Sequence, residues 1–183
     1  NGSVPIITPR KHYKQSYNFP LSRGKWDATE GGIRVPLIIM GPGIDKTRYS
    51  NTPISFSDLL PTIIDIAGNK KLKNSELDGG SFKDLINNES DSVNRRSKGL
   101  FFHVPYENKI ALERAHSAVI IDSLKLIKYH DNNELNLYDI KNDLSESIDL
   151  SNILIKGKLV NIKITRRLET VSYTHLTLPT TRL

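Results

Sequence analysis

The sequence predicts an α/β fold, and three observations carry this prediction. A continuous apolar run from Val35 to Met40 is typical of a strand that is buried on both faces of a sheet. Residues 55–67 carry apolar side chains at helical spacing. From Gly99 onward the pattern changes to four short runs rich in β-branched and aromatic residues, which predicts an antiparallel sheet.

Composition excludes several classes of protein and site. The 183 residues are 37% hydrophobic and 25% charged, which is ordinary for a globular chain. No apolar run approaches the roughly 20 residues that a membrane-spanning helix needs. The net charge of +6 comes from scattered basic residues with few aromatic residues between them, so nucleic-acid binding is not expected. The chain has no cysteine, which excludes disulfides, thiolate zinc sites and a cysteine nucleophile within it.

Residues 1–32 are rich in Pro, Gly, Ser, Tyr and basic residues, and they predict a long surface loop that leads into the first strand. Within this loop Lys25 follows Gly24 and precedes the tight turn Glu30-Gly31-Gly32. Glycine lets the backbone approach a bound group closely, and a lysine offers a compact positive charge. The pattern therefore favours an anion site at the edge of an α/β sheet.

The second element is a helix from Ser55 to Ala67. Ser55 and Asp58 have the spacing of a capping box, and Pro61 falls in the first turn, where its missing N–H costs little. Gly68 provides the C-terminal stop. The apolar stripe of this helix is predicted to face the core, and its members are Leu59, Leu60, Ile63, Ile64 and Ala67.

The rest of the chain predicts a short helix, a meander and a last helix. The short helix covers residues 81–86, and the last covers residues 148–170. The four strand-like runs between them are Leu100–Val104, Ser117–Asp122, Lys125–Tyr129 and Leu135–Ile140, separated by turn residues. Residues 171–183 shift abruptly to Thr and Leu, and we interpret them as a non-native tail without a function.

Three segments, in this order, resemble the sulfatase family of the alkaline-phosphatase-like superfamily. The densest runs from Asn18 to Gly43 and includes Gly24-Lys25-Trp26 and Glu30-Gly31-Gly32-Ile33-Arg34-Val35-Pro36. The second is Ser55 to Gly68. The third begins at Phe102-His103-Val104-Pro105-Tyr106 and ends at Glu146.

This resemblance implies a C-terminal piece of a sulfatase. Residues 1–95 would form the end of the large mixed sheet of the catalytic domain. Residues 96–170 would form a small four-stranded antiparallel sheet with a packed helix. The nucleophile segment, a cysteine or serine that becomes formylglycine, would lie upstream. A periplasmic or secreted location is also implied.

By position in the family pattern, Lys25 matches the lysine that contacts the sulfate group near the nucleophile. A preorganised ammonium there would stabilise charge that develops on the sulfate oxygens. Asn1 matches the end of the segment that binds calcium, with the other ligands upstream. His103 resembles a residue near the substrate cleft, although a histidine at a strand end is more often structural. Glu30, Arg34, Asp27 and Asp58 are interpreted as structural.

The predicted activity is hydrolysis of a sulfate ester, with a sulfated carbohydrate as the expected substrate. Two alternatives remain open at this point. One is a phosphate or phosphonate ester hydrolase of the same superfamily, which the missing nucleophile segment would distinguish. The other is a carbohydrate-binding module without catalysis, since this chain alone lacks the nucleophile.

Overall fold

The structure is a computed structural model, and it describes residues 2–3, 18–44, 47–68, 77–107 and 114–151. The described chain contains helices as well as strands, which agrees with the α/β prediction. In chain order the elements are α1 (Glu30–Ile33), a 3₁₀ turn (Phe56–Asp58), α2 (Leu59–Ile66), α3 (Lys83–Ile86), β1 (Leu100–Val104), β2 (His116–Ile121), β3 (Leu124–Tyr129) and β4 (Leu135–Asp139).

The four strands form one sheet in the order β1-β2-β3-β4, which confirms the predicted meander. Strands β2 and β3 are antiparallel, as are β3 and β4. The turns that join them place Asp122 at φ 55° and Asn133 at φ 57°. Asp and Asn tolerate the left-handed region better than other side chains. The turn residues recognised in the sequence therefore set the spacing of the strands.

Alternation along the strands gives the sheet two packed faces. On one face Val119, Leu126 and Leu137 form a buried cluster. On the other, the buried residues Ala118, Ile127 and Tyr129 form a cluster with Ala28 from the N-terminal segment. Because side chains of a strand alternate between faces, this second face also receives His116 and Lys125.

A surface loop was predicted over residues 1–32, and the described residues 27–32 correct that prediction. Asp27 to Gly32 are buried, and Ala28 has no exposed surface. Polar composition led to the wrong prediction because the polar groups here are paired inside the molecule. The segment packs on the second face of the sheet, and Glu30 and Ala28 are the residues through which it does so.

The predicted buried strand at Val35–Met40 is wrong in this structure. These residues form no strand, and Ile38 and Met40 are each 85% exposed. A strand needs a neighbouring backbone to pair with its N–H and C=O groups, besides apolar side chains. Among the described residues, the four strands pair with one another and none pairs with this run.

Contacts divide the chain into two compact units. One comprises Asn1–Pro36 with Phe101–Leu183, and the other comprises Leu37–Leu100. The domain boundaries predicted at residues 95 and 170 remain predictions. Asn1, most of the predicted helix at 148–170 and the tail at 171–183 lie outside the described residues.

In the second unit the predicted helix is confirmed, as the 3₁₀ turn followed by α2. The capping box between Ser55 and Asp58 is present, and Gly68 follows the helix at φ 68°. The buried face differs from the prediction, because Pro61 and Thr62 are buried while Leu60 and Ile63 are 53% and 62% exposed. Thr62 Oγ1 accepts from the Phe82 amide at 3.0 Å, so residues around Phe82 cover this side of the helix.

The predicted short helix at 81–86 is also confirmed, as α3, which buries Leu85. No helix in the described part of the chain is long and apolar enough to cross a membrane.

Candidate active site around Lys25

Lys25 lies on a loop whose backbone is fixed from several sides. Its own amide donates to the Ser3 carbonyl at 3.0 Å. The Asn18 side chain accepts from the Ser3 amide at 3.0 Å and donates to the carbonyls of Ser3 at 3.1 Å and Arg23 at 2.9 Å. One amide side chain thus joins the two segments that flank the lysine, and this restricts where Lys25 can lie. We call residues 22–29 the Lys25 loop.

Two residues of the Lys25 loop occupy the left-handed region. Arg23 has φ 59° and Trp26 has φ 80°. For residues with a side chain this conformation costs on the order of 1–3 kcal/mol, and it persists only where surrounding contacts impose it. Such residues concentrate at functional sites. They flank Gly24 and Lys25 here, which makes this loop the strongest candidate for a site.

Three glycines allow the close packing around this loop. A Cβ on Gly31 would collide with the carbonyls of Ser22 and Arg23. A Cβ on Gly32 would collide with the carbonyls of Asp27 and Gly24, and one on Gly2 with the carbonyl of Gly31. The Gly31 amide donates to Ser22 at 2.7 Å, and the Gly2 amide donates to Gly32 at 2.9 Å. The Glu30-Gly31-Gly32 motif therefore has a structural role, as predicted, and as part of the short helix α1 it holds the base of the Lys25 loop.

A buried ion triad joins this turn to the sheet. Lys125 Nζ lies 3.1 Å from Glu30 Oε1 and 2.7 Å from Glu146 Oε1. The side chains are 0%, 3% and 2% exposed respectively. Glu146 Oε2 also accepts from the Glu30 amide at 2.9 Å. Burial raises the pKa of Glu146, and the Lys125 ammonium opposes that rise.

A buried histidine holds the C-terminal end of the Lys25 loop. The Ala28 amide donates to His116 Nε2 at 2.9 Å. His116 Nδ1 lies 2.7 Å from the Arg114 carbonyl, which can only accept, so Nδ1 carries the proton. His116 has no exposed surface, and burial lowers its pKa. Sequence analysis did not assign His116 a role, because its partner is a backbone amide 88 residues away.

The loop and strand β1 line one cavity of about 550 Å³ in the first unit. Lys25 is partly exposed, and its ammonium lies 5.4 Å from the centre of the Trp26 ring. A cation over an aromatic face is held by electrostatic attraction to the ring. The cavity therefore combines one cation, aromatic surface and polar groups, and its lining includes Lys25, Trp26, Asp27, Phe102, His103 and Tyr106.

The structure places His103 in the lining of the same cavity as Lys25, within strand β1. Its Nδ1 lies 2.7 Å from Ser117 Oγ, which lies 2.9 Å from His130 Nε2. The two imidazole rings meet edge to face at 5.5 Å. The contacts of the His103 ring with Ser117 and His130 are contacts within the protein. A contact between His103 and a substrate therefore stays a prediction.

The remaining charged residues of the motif have structural partners, as predicted. Arg34 pairs with Glu30 at 3.5 Å, and Arg23 pairs with Asp27 at 3.7 Å. Asp58 belongs to the second unit, where its side chain accepts from Arg95 and from the amides of Ser55 and Gly80. Arg95 was missed by sequence analysis, since it lies 37 residues downstream in a polar stretch.

The described residues contain no group of three or more His, Asp or Glu side chains arranged to hold a metal ion. Asn1 is outside the described residues, so the assignment of Asn1 as a calcium ligand stays a prediction. The described residues alone therefore do not supply the cluster of carboxylates that a calcium site would need.

Comparison with known proteins shows the family of this chain. Residues 25–173 match the family model described as N-sulphoglucosamine sulphohydrolase, C-terminal. The chain belongs to the sulfatase family. The match begins at Lys25 itself and includes the whole of the four-stranded sheet.

Individual relatives are similar over parts of their length. A sulfatase of Formosa agariphila is 32% identical over 143 residues, which is 73% of this chain and 25% of that protein. An N-acetylglucosamine-6-sulfatase of Bos taurus is 38% identical over 73 residues, covering 40% of this chain and 13% of that protein. The chain thus spans about a quarter of the length of the first of these relatives.

This chain is also similar to part of a solved structure, that of a protein in complex with its substrate, D-glucosamine-2-N,6-O-disulfate. It aligns with a TM-score of 0.47 at 23% sequence identity, over 63% of this chain and 23% of that protein.

Proposed function

We propose that this chain is the C-terminal part of a sulfatase that hydrolyses sulfate esters of a carbohydrate. The observation that carries the proposal is the Lys25 loop, a strained and glycine-packed loop that presents a lysine at a cavity. Family membership supports sulfate ester hydrolysis. The names of the matched family model and of the Bos taurus relative, both enzymes of sulfated glucosamine, support the choice of a sulfated sugar.

Lys25 would act on the sulfate group of the substrate. Cleavage of a sulfate ester increases negative charge on the sulfate and leaving oxygens. An ammonium that is already positioned stabilises this charge more than mobile water does, because it needs no reorganisation as the reaction proceeds. The hydrogen bonds of Asn18 and Ser3 and the contact with Trp26 supply that positioning here.

The cavity would bind the sugar beside the sulfate. Trp26 and Tyr106 provide aromatic surface against which a sugar ring can pack, and His103 would add a polar contact. Formylglycine as nucleophile, calcium, and a periplasmic or secreted location are further proposals that follow from the family. The nucleophile and the metal ligands would come from a segment upstream of Asn1.

Replacing Lys25 tests the proposal in the full-length protein. Lys25→Ala is expected to lower turnover of a 6-sulfated glucosamine substrate by roughly 100-fold, the scale observed when one charge-stabilising donor is lost. Lys25→Arg should restore little, since a planar fork does not replace a compact ammonium in a tight site. The matched control is Lys128→Ala, whose side chain lies on β3 outside the cavity lining.

The outcomes separate the possibilities. If Lys25→Ala keeps wild-type turnover, Lys25 has no catalytic role. If the protein turns over a phosphate ester in preference to the sulfate ester, the sulfatase assignment is wrong. The 183-residue chain by itself is expected to show no turnover. If it hydrolyses an aryl sulfate above the buffer blank, the proposal of an upstream nucleophile is wrong.

A further inference from the structure

His116 has an arrangement that simple core packing does not require. It is a polar side chain with no exposed surface, on the face of the sheet that packs against the N-terminal segment. Both ring nitrogens are used, Nδ1 toward the Arg114 carbonyl and Nε2 toward the Ala28 amide. Ala28 is three residues beyond Lys25 and is completely buried. The ring thus links strand β2 directly to the Lys25 loop.

The two hydrogen bonds admit only one protonation state. The Arg114 carbonyl needs a donor, so Nδ1 carries a proton. The Ala28 amide is itself a donor, so Nε2 must present its lone pair. A second proton on Nε2 would set two donors against each other and would leave the buried Ala28 amide without an acceptor. Of the protonation states of His116, only the neutral one with its proton on Nδ1 can therefore accept from the Ala28 amide.

We propose that His116 is a positioning residue for Lys25, and that its neutral form holds the Lys25 loop against the sheet. This inference rests on the proposed function of Lys25 for its catalytic consequence. Protonation of His116 releases the Ala28 amide and lets the loop move, so the ammonium of Lys25 loses its fixed position. Misplacing a catalytic group by about 1 Å costs on the order of 100-fold in rate.

The groups that face His116 decide the pH at which this happens. Burial is the largest effect, and it lowers the pKa of His116. The nearby His130, Lys125 and Arg23 lower this pKa further. The Arg114 carbonyl opposes them. The Tyr129 ring lies 6.0 Å away, and burial raises the pKa of its hydroxyl, so it stays neutral. His116 is thus neutral at pH 7, and it takes up a proton below the usual histidine pKa of about 6.5.

Trp26 makes the inference testable in the 183-residue chain without any enzyme assay. It is the one tryptophan of the sequence, and it lies in the Lys25 loop two residues before Ala28. Its emission should show a transition as the pH is lowered from 7.5, with a midpoint below the usual histidine pKa of about 6.5. The transition should be absent in His116→Gln, because a glutamine amide can accept from Ala28 through its oxygen and does not titrate. His130→Gln is the matched control and should keep the transition.

Nitrogen NMR and kinetics complete the test. The ¹⁵N shifts of His116 should show the Nδ1-protonated tautomer at pH 7. In the full-length protein, kcat/KM of wild type should fall on the acid side with the His116 pKa, and His116→Gln should lack that fall. His116→Asn, which keeps a donor near Nδ1 but loses the acceptor, should lower kcat about 10-fold or more at pH 7.5 and lose less in KM.

Each result decides a separate point. An unchanged Trp26 transition in His116→Gln, or a His116 tautomer protonated at Nε2, would overturn the inference whatever the activity. If wild type is active and His116→Asn is equally active, the positioning role is also excluded. A wild-type protein without sulfatase activity would contradict the proposed function, while fluorescence and NMR would still decide whether His116 holds the loop. Should His116→Asn not fold, wild type and His116→Gln carry the test.

Discussion

Gly31 shows how a single residue supports the candidate site. Its amide donates to the Ser22 carbonyl at 2.7 Å, and a Cβ added to it would collide with the carbonyls of Ser22 and Arg23. A side chain at this position has no space, and the neighbouring atoms are backbone atoms that cannot rotate away. The reason for glycine is therefore the close approach of two chain segments.

Gly31→Ala is expected to destabilise the first unit by about 1–3 kcal/mol or more, the range for overpacked sites. The added methyl group must push the backbone of Ser22 and Arg23 outward, and this shift also moves Lys25. Thermal denaturation measures the loss of stability, and Trp26 emission reports the change in the loop. An unchanged melting temperature together with unchanged emission would show that the loop has room to relax.

In the second unit, Asp58 is the single residue on which several local contacts depend. Its carboxylate is fully buried and accepts from Arg95 Nε at 2.8 Å, Arg95 Nη2 at 2.7 Å, the Ser55 amide at 2.6 Å and the Gly80 amide at 2.9 Å. Burial alone would raise the pKa of Asp58, but the Arg95 guanidinium and the two amides lower it below its usual value. The carboxylate thus organises three segments of this unit.

Asp58→Asn should lower the stability of the second unit by about 3–5 kcal/mol, because it removes one partner of a buried pair. The folded-state pKa of Asp58 is lowered, so its stabilisation is present above about pH 4 and is lost as the pH falls below that value. The difference between variant and wild type should accordingly shrink in acid. Chemical denaturation at pH 7 and pH 3 measures both effects.

Asp65→Asn, on the helix α2 that follows Asp58, is the matched control. Asp65 is exposed, and its contacts with Ser81 at 2.8 Å and Lys83 at 3.6 Å lie at the surface. Surface pairs contribute at most about 1 kcal/mol. A loss at Asp65 as large as the loss at Asp58 would contradict the role assigned to the buried carboxylate.

Among the contacts between elements, the ion pairs of Lys125 join three parts of the first unit. Lys125 lies on β3 and pairs with Glu30 on α1 and with Glu146 in the segment after β4. A lone buried charge is costly, so the lysine and the two carboxylates depend on one another. Arg34 contributes a second positive charge toward Glu30. The sheet, the Glu-Gly-Gly turn and the segment after β4 are joined at one point.

Lys125→Met should therefore destabilise the first unit by about 3–5 kcal/mol at pH 7.5, because two buried carboxylates lose their ammonium. The pKa of Glu146 is already raised by burial and should rise further in the variant. A raised folded-state pKa means that stability is lost as the pH rises through it. Thermal denaturation should thus show a smaller deficit at pH 5 than at pH 7.5.

Lys128→Met provides the comparison on the same strand. Lys128 is three residues further along β3, and the alternation of the strand places it on the opposite face. Its replacement should change the melting temperature little. A deficit at Lys125 that does not depend on pH would argue that lost packing, not the unpaired carboxylates, is the cause.

At the scale of the whole molecule, deletion tests whether residues 171–183 contribute to the fold. Residues 171–183 have the composition that we interpret as non-native. Deletion of residues 171–183 should leave the melting temperature unchanged or raise it. A fall of several degrees, which corresponds to roughly 1 kcal/mol for a domain of this size, would show that the tail packs.

The sequence by itself determined the four strands, the two confirmed helices and the family. Turn residues and β-branched runs fixed the four strands within one or two residues, because hairpin turns and side-chain alternation are short-range properties. The capping box of α2 was predictable for the same reason. Three segments in order, Asn18–Gly43, Ser55–Gly68 and Phe102–Glu146, carried the resemblance to the sulfatase family, which the family match confirms.

Only the tertiary structure decided which of these elements are covered and what holds the lysine. The apolar run at Val35–Met40 and the apolar side of α2 are exposed in this structure, whereas the polar residues 27–32 are buried. His116 and Lys125 gained their roles from Ala28, Glu30 and Glu146, which are distant in the chain. A buried polar group is stable only with its partner in place, and such partners are set by packing across the sheet.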